Sequence, residues 1–136
     1  METRQLSVET ADAPGLTDLT DACASFLADV AAEDGLLTVF VPHATAGVVV
    51  VELGAGSDAD LLAALERLLP HDDRWRHRHG SPGHGADHVL PLLVSPSLTV
   101  PVVDGRMTLG PWQSIALLDP NRDNRRRSVR LAFLAG

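Results

Sequence analysis

Short apolar and β-branched runs, each closed by proline, glycine or a charged residue, recur along this chain and limit the length of its regular elements. In the last run, Val129, Leu131 and Phe133 alternate with smaller or polar neighbours, a period that predicts a strand with one buried face. Asp104-Gly105 is a hairpin turn signal between two further runs. We therefore predict strands over residues 4–10, 36–41, 48–51, 97–103, 106–109, 113–118 and 128–133.

Two longer segments carry apolar residues at helical spacing. Thr17 or Asp18 can cap the first helix. Ser57 or Asp58 can cap the second helix, which Pro70 ends. The apolar positions are Leu19, Ala22, Cys23, Phe26, Leu27 and Val30 in the first, and Leu61, Leu62, Leu65, Leu68 and Leu69 in the second.

The predicted elements follow one another as β-α-β-β-α-α-β-β-β-β, with a short third helix over residues 86–94. This order indicates an α+β fold that has a mostly antiparallel or mixed β-sheet and two main helices. The chain has 136 residues and no visible repeat or low-complexity linker. We therefore expect one domain over residues 1-136.

The charge and the residue types exclude several classes of function. The formal net charge of −7 argues against non-specific binding to nucleic acid or to an anionic membrane, because both need a positive field. All eleven basic residues are arginine, so a lysine Schiff base is excluded. The single cysteine, Cys23, permits no internal disulfide. No run resembles a signal peptide or a membrane span, which predicts a cytoplasmic protein.

Four of the six histidines lie between Trp75 and Leu90. Either they decorate a solvated loop, or some of them converge on a metal or a substrate. Zinc favours imidazole nitrogen, and a catalytic zinc site uses three protein ligands with one open position. His84 and His88 would share a helix face, but Gly85 interrupts that pattern, and both readings stay open. The candidate ligands on spacing alone are His43, Glu52, His77 and His88, with His84 nearby.

The motif PHATAG, residues 42–47, places His43 at the end of a strand, beside small residues that let a ligand approach the backbone. Thr45 adds a hydroxyl group. The alternative is a hairpin loop with an exposed histidine. In isolation the two readings carry equal weight.

The motif NRDNRRR, residues 121–127, concentrates arginines before the last strand. Guanidinium groups bind phosphate through two parallel hydrogen bonds, so this run could hold a phosphorylated ligand. A charge run in a loop is more often simply solvated, and Asp119 and Asp123 offset part of the charge here. The motif by itself does not decide between these readings.

Four segments, in order along nearly the whole chain, resemble one known family. They are PHATAGVVVVE (42–52), WRH (75–77), ADHVL (86–90) and SPSLTVPVVDGRMTLGPWQSIALLD (95–119). The last is similar to the signature of the YjbQ family, small proteins described as secondary thiamine-phosphate synthases. The first resembles that family's His-Thr-Ser-Ala-Gly segment and Asn-Glu pair, which aligns His43 and Glu52. Ala44, Val51 and His84 depart from the family's Thr, Asn and Asn.

The resemblance implies a pocket lined by His43, His77 and His88 that could hold a divalent metal, zinc or magnesium. His84 could add or replace a ligand. The histidines read as loop residues without a role are His71 and His79. Glu52 or His43 would transfer protons as the catalytic groups. The implied substrate contacts are Thr45, Ser97, Trp112, Gln113, Arg125, Arg126 and Arg127.

The resemblance also implies a homotrimer with pockets near its subunit interfaces and a small phosphorylated metabolite as ligand. The family's reaction joins a hydroxymethylpyrimidine diphosphate to a thiazole phosphate and would make this protein a transferase. One alternative is a metal-dependent hydrolase in which zinc activates water and Glu52 is the base. Another is a non-catalytic trimer that binds a metabolite or a metal.

Overall fold

Two antiparallel sheets and three α-helices make up the part of the chain that the computed structural model describes, residues 1–11 and 14–136. The elements are, in order, β1 (Glu2–Glu9), β2 (Gly15–Asp18), α1 (Thr20–Asp29), β3 (Gly35–Phe40), β4 (Gly47–Val51), α2 (Ser57–Leu68), α3 (Gly85–Val89), a one-turn 3-10 helix (Leu90–Leu92), β5 (Ser97–Val103), β6 (Arg106–Met107), β7 (Ser114–Asp119) and β8 (Arg126–Ala135). The larger sheet has the order β1-β8-β3-β5-β6 and the smaller one β2-β7-β4. The predicted α+β fold is confirmed.

The strand β8 organises the larger sheet because it pairs with β1 on one side and β3 on the other. Its alternation has the predicted effect: Val129, Leu131 and Phe133 are buried against α1 and the inner residues of β3 and β5. Cys23 lies in the same core. Burial raises the pKa of its thiol to about 12, with the charge of Asp18 acting in the same direction, as suits a packing residue.

Both long helices are confirmed, but neither has a predicted capping residue at its N-cap position, which Leu19 and Gly56 occupy. Thr17 and Asp18 lie in β2, a four-residue strand that the sequence did not reveal, and they pair with β7. The helix α1 starts only at Thr20. The residue before α2 is Gly56, so Ser57 is already helical and no side chain caps that helix. The backbone of Asp18 pairs with β7, while its Oδ1 still accepts the N–H of Thr20, the first residue of α1, over 2.8 Å.

The predicted third helix is divided in two. The helix α3 ends at Val89, and a 3-10 turn with Pro91 near its start continues the chain. Proline has no N–H to donate, so it is tolerated only in a first turn. A small apolar cluster fixes α3 beneath α2 and against β7; its buried members are Leu69, Ala86, Leu90 and Leu118.

Three loops meet where α3 begins. They follow β3, precede α3 and connect β7 to β8, and the hydrogen bonds between them join residues far apart in sequence. The predicted site residues of the loop after β3 and of residues 71–84 lie in this region. None of the helices in the described ranges has the length and apolar character needed to cross a bilayer.

Candidate metal centre

The histidine segment, residues 71–84, has no regular secondary structure, but tertiary contacts hold it in place. The indole Nε1 of Trp75 donates a hydrogen bond to the carbonyl oxygen of Pro70 over 2.8 Å. At the start of α3, a Cβ on Gly85 would lie 2.4 Å from the Cβ of Trp75 and 2.8 Å from the carbonyl oxygen of His77. Glycine at position 85 therefore lets the segment pack directly on α3 and starts the helix instead of interrupting it.

Four imidazoles converge there. One nitrogen each from His77, His79, His84 and His88 lies within 4.8 Å of all the others. Within this group, His84 Nε2 and His88 Nε2 are 2.9 Å apart. His84 is buried, His88 is half-buried, and the other two are exposed. We call these four residues the histidine cluster.

Two rings of the histidine cluster, His77 and His88, favour the neutral form. Desolvation and the neighbouring imidazoles lower the pKa of His77, and the same causes lower the pKa of His88. At neutral pH these two rings therefore keep free lone pairs, which is the state in which imidazole binds a metal. A cavity of about 470 Å³ adjoins the cluster, and Trp75, Arg78 and Ser81 are among its lining residues.

His84 carries an unsatisfied polar atom. Its Nδ1 is buried and makes no aligned hydrogen bond, although it lies 3.1 Å from Asp123 Oδ2 and 3.6 Å from Asp87 Oδ2. Both carboxylates are therefore close to Nδ1, but neither is aligned with this nitrogen well enough to form a hydrogen bond. A buried N–H donor without an acceptor is costly, so a small rotation of the ring toward one carboxylate would be favourable.

His71 was predicted to be an exposed loop residue, and that prediction is wrong. Its side chain is only 18% exposed, with Nδ1 2.8 Å from Glu66 Oε2 and Nε2 2.7 Å from Asp87 Oδ1. Burial lowers the pKa of His71, but the hydrogen bonds and charges of the two carboxylates outweigh burial and raise it. Burial also raises the pKa of Asp87, which the His71 charge opposes. We take the pair as imidazolium and carboxylate below neutral pH.

His43 lies outside the histidine cluster. Its Nε2 accepts a hydrogen bond from the Ser128 N–H over 2.9 Å. Burial and the charge of Arg127 lower its pKa, which Asp119 partly opposes. The structure thus joins three of the four predicted metal ligands, His77, His84 and His88, and adds His79 in place of His43.

Arg127 and Thr45, two of the predicted substrate contacts, belong to a buried polar network. The guanidinium of Arg127 donates to both carboxylate oxygens of Asp119, over 2.7 and 2.9 Å, and to the Thr45 hydroxyl over 3.1 Å. Asn121 Nδ2 donates to the same hydroxyl over 2.8 Å. Arg127 is only 2% exposed and its Nε and Nη2 are engaged in this network, so its guanidinium is not open to a phosphate group from solution. We call these four residues the Arg127 network.

The other predicted site residues are exposed and do not line the cavity beside the histidines, as far as the structure describes it. Glu52 follows β4 and faces the start of α2. Gln113 Oε1 accepts the N–H of Gly110, forming a tight turn with a 74% exposed Trp112. Arg126 pairs with Glu9 at 2.8 Å. The remaining exposed members of the predicted set are Ser97 and Arg125, and all these roles stay predictions.

Comparison with known proteins agrees with this fold. Residues 4–136 match the family model described as UPF0047 protein YjbQ-like. UPF0047 protein Rv2556c of Mycobacterium tuberculosis is 60% identical over 136 residues, the full length of both chains. UPF0047 protein YugU of Bacillus subtilis is 31% identical over 117 residues, 82% of this chain and 84% of that one.

Solved structures of other proteins have the same fold as this chain. A hypothetical protein of Aeropyrum pernix superposes with a TM-score of 0.90 at 31% identity, over all of both chains. A YbjQ-like protein of unknown function from Sulfolobus solfataricus superposes with a TM-score of 0.92 at 23% identity, over 99% of this chain and 97% of that one, and shows the shared fold. The chain belongs to the YjbQ-like UPF0047 family.

Proposed function

We propose that this protein holds one divalent transition-metal ion, zinc by preference, on the histidine cluster. The observation that carries the proposal is the approach of four imidazole nitrogens to within 4.8 Å of one another. Four nitrogens around zinc, at bond lengths of about 2.0–2.1 Å and tetrahedral angles, lie about 3.4 Å apart. The spacing of 2.9 Å between His84 and His88 therefore needs only a small expansion.

The donor atoms decide which metal is favoured. All four are imidazole nitrogens, which suit zinc, copper and nickel. Magnesium prefers oxygen ligands and keeps several waters, and the cluster includes no carboxylate. Of the two metals expected from the resemblance, zinc is therefore the one we propose.

The adjoining cavity supports a small anionic metabolite as ligand. Its volume of about 470 Å³ is in the usual range for small-molecule sites, and the Arg78 side chain lines it. A guanidinium pairs well with phosphate, and Ser81 supplies a hydroxyl. A bound zinc would polarise phosphate oxygens or activate a water. The condensation of a hydroxymethylpyrimidine diphosphate with a thiazole phosphate, implied by the family resemblance, is the first reaction to assay.

His79 favours a second candidate function. A fourth imidazole leaves a tetrahedral zinc with no open position, which is typical of structural sites, whereas catalytic zinc keeps one position open. A closed site suits a non-catalytic protein that binds a metal. Hydrolysis by zinc-activated water would require one ligand to leave, and the exposed His79 is a candidate for that.

Zinc titration of tag-free, chelator-treated protein tests the proposal. We expect one zinc per chain for the wild type and for His43→Ala, and loss of this site in His84→Ala and His88→Ala. His43→Ala is the matched control, because it removes one imidazole outside the cluster. Wild-type protein that binds no zinc, or a His43→Ala variant that alone loses it, would contradict the proposal.

Activity is measured on the same samples. Product formation and pyrophosphate release from the two thiamine precursors that depend on zinc and on His88 would support the synthase reaction. Zinc binding without turnover of these compounds, or of a panel of phosphate esters, would favour the non-catalytic function. The homotrimer implied by the resemblance stays a prediction, and a light-scattering mass of a single chain would contradict it.

A further inference from the structure

We propose that Asp123 is a positioning residue of the metal centre: its carboxylate accepts the Nδ1–H of His84 and thereby directs Nε2 of that ring to the metal. This inference rests on the proposed function. It assigns a role to a residue that follows β7 and is far from the histidine segment in sequence.

The two nitrogens of His84 have different surroundings. Nε2 lies 2.9 Å from His88 Nε2, inside the histidine cluster. Nδ1 is buried, has no aligned hydrogen bond, and lies 3.1 Å from Asp123 Oδ2. A neutral imidazole that gives the lone pair of Nε2 to a metal must carry its proton on Nδ1. That proton then needs an acceptor, and metal-bound histidines almost always have one.

Asp123 is better placed for this role than Asp87. The nearer oxygen of Asp87 is 3.6 Å from Nδ1, and its other oxygen is engaged with His71 at 2.7 Å. Asp123 is the closer of the two carboxylates.

Asp123 is fixed from both sides. The backbone N–H and the hydroxyl of Ser81 donate to its Oδ2 over 3.0 and 3.3 Å. Its own backbone N–H donates to Asn121 Oδ1 over 2.6 Å, and Asn121 is buried in the Arg127 network. The carboxylate therefore connects the rigid network to the loop that carries His77 and His79.

The residue Gly80 gives a second, independent indication. Its φ of +79° is in the left-handed region that favours glycine. A Cβ at this position would lie 2.5 Å from Asp123 Oδ2 and 3.2 Å from the Cγ of His84. The histidine segment thus passes directly against the carboxylate and the ring, and only glycine leaves room for both.

The test compares zinc dissociation constants of the wild type, Asp123→Asn and Asp73→Asn, measured by chelator competition at pH 7.5. Loss of an acceptor to a metal-bound histidine typically lowers metal affinity about 10- to 100-fold, and we expect that range for Asp123→Asn. Asp73→Asn removes the same charge from an exposed residue of the histidine segment that interacts with Arg74, and we expect its dissociation constant to stay within about twofold of the wild type.

A second measurement needs no variant that could misfold. Two-bond hydrogen–nitrogen NMR spectra of the zinc-loaded wild type report the tautomer of His84. We expect a proton on Nδ1 and a metal-bound Nε2. A proton on Nε2, or wild-type affinity in Asp123→Asn, would overturn the role of Asp123 while zinc binding itself stands. Failure of the wild type to bind zinc would overturn both proposals.

Discussion

The Arg127 network and the histidine cluster lie on either side of the loop between β7 and β8, and they are built on opposite principles. In the Arg127 network unlike groups complement one another: a guanidinium and a carboxylate are buried face to face, and a hydroxyl and an amide complete them. In the histidine cluster four like groups approach one another, and a buried nitrogen is left without a hydrogen bond.

This contrast indicates that the Arg127 network is a structural arrangement and the histidine cluster a binding site. Buried charges are stable when each has its partner, as in the Arg127 network. Desolvation and the neighbouring imidazoles lower the pKa values of His77 and His88, so these two rings do not readily hold a proton beside the others. Their approach becomes favourable when they share a cation, because each then uses its lone pair. We therefore assign the first region to stability and the second to binding.

Breaking the Arg127 network should have the largest effect on stability. Arg127→Ala leaves the buried Asp119 carboxylate without its partner, and breaking a buried ion pair costs about 3–5 kcal/mol. Urea unfolding measures this change. Arg126→Ala is the control, because its exposed pair with Glu9 should be worth less than about 1 kcal/mol. Equal losses in the two variants would show that the Arg127 network is not what holds the loop.

Substitutions in the histidine cluster should lower the free energy of unfolding only when zinc is present. A ligand that binds only the folded state stabilises it by about 4 kcal/mol at a free concentration of 1,000 times Kd. We expect zinc to raise the free energy of unfolding of the wild type by this amount and to leave that of His88→Ala nearly unchanged. In excess chelator the two proteins should unfold at similar urea concentrations, since the half-buried ring contributes little on its own. A large difference in chelator would indicate a structural role for His88 instead.

Zinc affinity should depend on pH in one direction. The pKa values of His77 and His88 are lowered, so protons leave these ligands below the ordinary histidine value of about 6.5. Affinity should therefore be nearly constant above about pH 7 and fall steeply below about pH 6, where protons compete with zinc. Chelator competition at four pH values measures the curve. An affinity that keeps rising well above pH 8 would point to ligands other than these imidazoles.

The smallest expected effect concerns His71, which lies outside both regions. Its pKa is raised in the folded state, so it stabilises the apo-protein below the unfolded value of about 6.5, and this contribution is lost as pH rises through the raised value. His71→Ala should therefore cost more stability at pH 5.5 than at pH 9 in urea unfolding with chelator. An equal cost at both pH values would show that the carboxylates of Glu66 and Asp87 do not hold a charged ring.

Local patterns predicted most of the fold. The alternation in β8 and the helical spacing around Phe26 each encode a buried face within a few residues, and both are confirmed. The strand β2 could not be read in the same way, because the four residues Gly15–Asp18 become a strand only through pairing with β7. The local signal for a cap at Asp18 persists in part, because its Oδ1 accepts the Thr20 N–H while its backbone pairs with β7.

The candidate site was predicted only where local spacing reveals it. His84 and His88 are four residues apart, and α3 places them side by side. His79 was missed, although a spacing of two from His77 puts both side chains on one side of an extended chain. No local signal pointed to Asp123, which reaches His84 from another loop, or to the partners that bury His71.

The most direct test of the histidine cluster as a zinc site is an anomalous difference map at the zinc edge from crystals of tag-free protein grown with one equivalent of zinc. We expect one peak per chain, about 2.0–2.1 Å from one nitrogen of each of His77, His79, His84 and His88, with the Nε2 atom of His84 facing it. No peak among these rings, or a peak bound to His43 in their place, would contradict it.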